Sequence, residues 1–301
     1  MAGSSHDPDA ALRPSTPATP TPTRAAPTTP ASDPPPVARL RLPETEAPRT
    51  LLIRPSQAED PQTAGERASR AAASGRLIRL ARDVYLARHL WDVAPPWQRY
   101  ELAIAAKAHS HPNARFRREA ALTLWGLPLA RTPREVTLRA DTRAAAGRVP
   151  AAAAGGLAGF DLCRASAGAS APTTVLAPGI LRAARGPEQG YRTEELVPVL
   201  TDTVPRMSRA AGVVVLDAVL SGPRRPGSRG SLVQRAGGVP REVLTAYAEQ
   251  MTVKRHRKRF LQALGAADHR SESAGESLMR VLMEDLGFGV PALQVPLRAG
   301  P

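Results

Sequence analysis

Cysteine, lysine, aromatic side chains and long apolar runs are all scarce in this chain of 301 residues. The single cysteine, Cys163, cannot close an internal disulfide and finds no second thiol with which to share a zinc, which fits a reducing compartment. No apolar run approaches the roughly 20 residues that a membrane-spanning helix needs. The first 30 residues also lack the apolar stretch of a secretory signal. The expectation is therefore a cytoplasmic protein with no membrane partner. Aromatics make up 4% of the chain, and Trp91, Trp97 and Trp125 are spaced as anchors of helix packing rather than as a row on which bases could stack.

What is abundant is arginine. Lysine and arginine number 41 against 27 acidic residues, for a net charge of +14. Residues 1–50 hold five arginines and five acids and sum to zero, so the excess lies beyond them. That much positive charge favours a polyanionic partner, because neutralised phosphates release their counterions. Residues 1–50 also carry 12 of the 31 prolines and hardly a large apolar side chain before Val37, a composition that predicts a disordered tail. The pattern becomes helical with a few short strands from Leu51 to about Gly222. Pro223 to Gly230, PRRPGSRG, reads as a flexible break, and a last helical region runs from Pro240 to Gly287.

Ser56 to Arg88 is the most informative segment. Ser56 precedes Glu59 by three residues and Thr63 precedes Glu66 by three, the reciprocal spacing of a helix-start box. Two short helices are expected, separated near Pro61, the second running from Ala64 to Ser74 and stopping at Gly75. Leu77, Ile78 and Leu80, then Val84, Tyr85 and Leu86, read as two strands joined at Ala81-Arg82-Asp83, where Asp tolerates positive φ. Helix, helix, hairpin is the order of a winged helix. Ala64, Ala68, Ala71 and Ala72 form the packing face of the second helix, which turns Arg67, Arg70 and Ser74 elsewhere. Such a helix suits the major groove, with Arg76, Arg79 and Arg82 of the hairpin straddling the phosphate backbone of double-stranded DNA.

The run GRLIRLARDVYLAR resembles the wing of actinobacterial regulators related to AbiEi-type antitoxins of type IV toxin-antitoxin systems, with Asp83 in place of the usual glycine. Phe116 to Leu129, FRREAALTLWGLPL, is similar to that family's helix ending in Trp-Gly-Leu-Pro, with Arg117 where a small polar residue is common. Val136-Thr137-Leu138 is similar to the short strand that follows, and Tyr191 to Gly222 to a two-helix segment. The resemblance implies a DNA-binding autoregulatory antitoxin or repressor, with a cognate toxin as a second partner. Arg270 to Leu286, RSESAGESLMRVLMEDL, is similar to the opening helix of a very-short-patch-repair-like endonuclease, with Glu276 matching its glutamate. That metal site needs further carboxylates from following strands, and after Leu293 to Leu297 the sequence offers none. Neither an enzyme nor a cofactor is expected.

The fold class read from these features is α+β, mainly helical with some strand. A disordered tail spans residues 1–50, a winged helix 51–90 and a helical α+β middle domain 91–222. A linker spans 223–239, and 240–301 is a helical region with a truncated endonuclease-like start. The leading function is a DNA-binding transcriptional regulator. The alternatives are a fragment of a metal-dependent endonuclease and an antitoxin acting mainly through protein contacts. Two features weigh less. Lys254 to Arg259, KRHRKR, would spread charge around a helix rather than along one stripe. His109 and His111 have ligand-like spacing but no third ligand nearby, and a zinc site needs three or four.

Overall fold

A computed structural model describes residues 51–151, 157–166, 171–185, 189–221 and 238–293. The tail expected over residues 1–50, most of the expected linker, and the strand expected at Leu293 to Leu297 beyond its first residue lie outside the described residues. The fold is a mixed α+β class, about half helical with small sheets. No helix among the described residues is long and apolar enough to cross a membrane.

The chain enters through Ile53, which pairs antiparallel with Tyr85, and makes a single 3-10 turn at Pro55–Gln57. Helix α1 follows at Pro61–Ala73, then strands β1 (Leu77–Ala81) and β2 (Val84–Ala87). The first of the two expected helices is therefore only that turn. Pro61 opens α1 instead of separating two helices, because its fixed φ suits the first helical position and its missing N–H costs nothing there. Neither helix-start box forms as expected. Asp60 caps α1, its carboxylate accepting from the Thr63 amide at 3.2 Å. Ser56 instead donates its backbone N–H to Asp83 Oδ1 at 3.1 Å and its hydroxyl to Oδ2 of the same carboxylate. The end of α1 is as read: Gly75 takes φ 75°, its N–H donates to Ala72 O and the Arg76 N–H donates to Ala71 O. Asp83 takes φ 58° in the hairpin turn, the left-handed conformation that Asp tolerates there.

Helices α2 (Arg88–Val93) and α3 (Pro96–Ser110) come next, and α3 is the spine of the first core, buried continuously from Leu102 to His109. Leu80, Val84 and Leu86 of the hairpin pack into that core with Trp91 and Tyr100. The 51–90 module thus shares its interior with the segment after it. Helix α4 (Arg118–Leu124) ends where Gly126 turns at φ 71°. Strand β3 (Glu135–Ala140), which contains the expected Val136-Thr137-Leu138, runs parallel to β5 (Asp161–Ser166), and β4 (Gly147–Val149) flanks β5 antiparallel. Strands β6 (Pro172–Val175) and β7 (Tyr191–Glu194) form a separate antiparallel pair with α5 (Gly179–Arg185) between them in sequence.

The second core joins Ala121 and Leu122 of α4 to α6 (Leu196–Thr203), α7 (Arg209–Leu220), α8 (Arg241–Glu249), α9 (Lys254–Ala266) and α10 (Ala274–Asp285). The boundary expected over 223–239 therefore does not divide one hydrophobic core from another, since α7 lies before it and α9 and α10, which pack on α7, lie after it. Gly212 makes the close approach possible: a Cβ there would stand 3.1 Å from Val204 Cγ1 and 3.3 Å from Ala263 Cβ.

Candidate nucleic-acid interface

Helix α1 buries one face through Ala68, with Ala64, Ala71 and Ala72 partly covered, as the alanine spacing predicts. At about 100° per residue, Arg67, Arg70 and Ser74 fall within about 60° of arc on another side. Arg67, Arg70, Ser74, Arg76, Arg79 and Arg82 are all exposed. Two of the arginines are steadied by short-range hydrogen bonds. Arg76 Nε donates to Ser74 Oγ at 3.2 Å and Arg79 Nε to Ala81 O at 3.4 Å. Ser74 also donates to Ala71 O at 3.1 Å, so this serine is engaged in ending the helix. Among the described residues, none of these five arginines forms an ion pair with a carboxylate, whereas Arg88 just after the hairpin pairs with Asp92 at 3.6 Å.

The tertiary structure adds cations that sequence reasoning missed. Lys107, only 4% exposed near the end of α3, places Nζ 3.0 Å from His111 Nδ1. Burial pushes the Lys107 ammonium down to about 8, helped by the charge of Arg164 on β5. Burial also lowers the His111 imidazole, followed by the charges of Lys107, Arg164 and Arg82 at the hairpin turn. Arg82, Lys107, His111 and Arg164 therefore belong to one electrostatic neighbourhood, continuous with the hairpin. No carboxylate among the described residues forms an ion pair with any of them. Like charges gathered without counter-charge oppose folding. A bound anion would relieve that repulsion. No sequence signal announces the cluster, because its members come from a turn, a helix end and a strand far apart in the chain.

No known family model matches the chain, and no curated protein sequence matches it.

The remaining candidates resolve into local roles. His109 is buried with Nε2 2.9 Å from Ala184 O, and no group of three or more potential metal ligands occurs among the described residues. Glu276 sits in the first turn of α10. Its N–H donates to the capping Ser273 hydroxyl at 3.1 Å, while its carboxylate accepts from the Glu272 N–H at 2.6 Å. Glu284 and Asp285, at the other end of that helix, pair with Arg209. Lys254 to Arg259 form the opening turns of α9 and spread around it as expected, at the helix end where the dipole is least favourable to cations. Cys163 is half-buried on β5, and burial raises its thiol, which fits a structural role. Trp91 is buried under the Arg99 guanidinium, and Trp125 donates its indole N–H to Glu194 O. Trp97 departs from the anchoring role expected of it, being 50% exposed.

Proposed function

We propose that the chain binds double-stranded DNA as a transcriptional regulator, with α1 in the major groove and the β1–β2 hairpin as its wing. The observation that carries this reading is the concentration of uncompensated arginine on one short module. Arg67 and Arg70 face out from α1, and Arg76, Arg79 and Arg82 line the hairpin, all exposed and without acidic partners among the described residues. The added edge pairing of Ile53 with Tyr85 supports a winged-helix reading of the module, with the helix before α1 reduced to one 3-10 turn. Base reading then rests on α1 and the wing. Arg82 and Arg164, both exposed, would continue the phosphate track beyond the wing tip. The resemblance to antitoxin-type regulators makes the protein's own promoter the first duplex to test, and a cognate toxin the second partner.

Changing the two arginine pairs to alanine separates the roles. Loss of Arg67 or Arg70 is expected to erode sequence preference by about 1–3 kcal/mol at the base pair each contacts. Loss of Arg79 or Arg82 is expected to weaken all duplexes alike and to flatten the salt dependence by about one unit per residue. Titrations at several salt concentrations against the own promoter and a scrambled duplex distinguish the two. Failure of the unaltered chain to bind either duplex at low salt, or indifference of binding to all four substitutions, overturns the reading.

A further inference from the structure

A cavity of about 370 Å³ opens beside the start of α3, lined by Trp97, Tyr100 and Glu101 of that helix, Thr123 of α4 and the Leu127–Pro133 loop. Its walls are largely apolar, from Leu127, Pro128, Leu129 and Pro133, and the half-exposed indole of Trp97 stands at its edge. Into this setting α3 delivers one carboxylate, Glu101. Among the described residues its side chain makes no hydrogen bond and no ion pair. Two other polar groups of the lining are already engaged: Tyr100 donates its hydroxyl to Glu135 O at 3.2 Å and Thr123 donates to Glu119 O at 2.9 Å. A carboxyl set among apolar walls without a partner opposes folding, and a largely apolar cleft with a few ionisable groups is a recurrent form of ligand pocket. Arg131 of the loop also lines the cavity but makes no ion pair with Glu101 among the described residues, which leaves the carboxylate open to an external cation with an apolar body. The π-face of an indole attracts the same class of ligand.

We propose that this cavity binds a small organic cation, a primary amine or guanidinium on a short apolar stem, with Glu101 as its counter-ion and the Trp97 ring against its stem. Burial alone pushes the Glu101 carboxyl up to about 7, so Arg131, the one cation of the lining, does not hold it down. The site is then largely neutral at pH 6 and charged at pH 8, and the ionised fraction rises about tenfold between them. The other groups around Glu101 do not change charge in that interval: burial raises the phenols of Tyr100 and Tyr191, and Arg131 is a permanent cation.

The test uses the full chain with n-butylguanidinium, n-butylamine and neutral n-butylurea, followed by tryptophan fluorescence and calorimetry. Both cations are expected to bind about tenfold more tightly at pH 8 than at pH 6, with n-butylurea not binding. Glu101→Gln is expected to weaken the cations at least tenfold and to abolish the pH dependence, and Trp97→Phe to remove the fluorescence response. Folding of the Gln variant is checked independently. In the folded chain Glu101 keeps its proton to about pH 7 while the unfolded chain gives it up near 4.5, so stability falls as pH rises between those values. Glu101→Gln should therefore raise the melting temperature at pH 8 and leave it unchanged at pH 4. Equal binding of n-butylurea, unchanged affinity in Glu101→Gln, or no binding of either cation at millimolar concentration overturns the proposal. None of these outcomes depends on DNA.

Discussion

Replacing Arg117 by methionine is expected to destabilise the fold by about 3–5 kcal/mol, the range for removing one partner of a buried ion pair. Arg117 is buried at the start of α4, where Arg118 takes the left-handed φ of 49° and turns the chain into the helix. Its Nε lies 3.2 Å from Glu194 Oε1, its Nη2 3.1 Å from Asp202 Oδ2, and its Nη1 donates to Ala165 O at 3.5 Å. One guanidinium thus ties α4 to β7, α6 and β5. Methionine keeps the length and the apolar stem but leaves the Glu194 carboxylate, 3% exposed, with Arg139 at 3.9 Å as the nearest other cation. The stranded charge, more than the lost attraction, sets the size of the effect. The combined change Arg117→Met with Glu194→Gln should accordingly recover much of the loss in urea denaturation. A single-variant loss below about 1 kcal/mol, the scale of an exposed pair, would mean that water reaches the cluster.

The Asp217–Arg280 pair should behave the same way when broken and differently when removed whole. Arg280 Nη2 stands 2.6 Å from Asp217 Oδ2, with the two side chains 4% and 2% exposed. Asp217 Oδ1 also accepts from the Asp268 amide at 2.7 Å, and Arg280 donates to Ala266 O. The pair therefore holds α10, the end of α9 and the 266–268 turn to α7. Asp217→Leu alone or Arg280→Met alone is expected to cost about 3–5 kcal/mol, because each leaves a buried charge uncompensated. Joint replacement strands no charge, so its cost should fall well below the sum of the two single losses, leaving the unpaired Asp268 N–H and Ala266 O at about 1–3 kcal/mol each. Equilibrium unfolding of the four chains of this cycle gives the coupling directly. Additive losses would show that the two side chains do not interact in solution.

Arg117 shows how far a sequence can be read at a single position. It could be identified as unusual, because a large cation stands where a small polar residue is common in the resembled family, yet nothing near it in sequence points to its partners. Glu194 and Asp202 lie 77 and 85 residues further along, on elements that meet Arg117 only when both cores assemble. Ser56 is the converse case. Its spacing from Glu59 satisfied a local rule, but the hairpin turn offers Asp83, and both the serine N–H and its hydroxyl go there. A local preference worth about 1 kcal/mol yields to a long-range partner that supplies two acceptors.

By itself the sequence determined the features that depend on the backbone of adjacent residues and on the sign of charge. These are the stop at Gly75, the positive φ at Asp83, the alanine face of α1 with Arg67 and Arg70 turned away from it, and the excess of cations beyond residue 50. Each follows from steric limits on φ and ψ, from helical periodicity or from composition, and none needs a distant partner. Only the tertiary structure decided that Lys107, His111, Arg164 and Arg82 share one electrostatic neighbourhood. It alone brought α7 into one core with α9 and α10, and left Glu101 facing a largely apolar cavity without an ion-pair partner among the described residues. The physical reason is common to all three: burial and electrostatic proximity belong to pairs of elements, and the sequence separation of those elements carries no information about the distance between them.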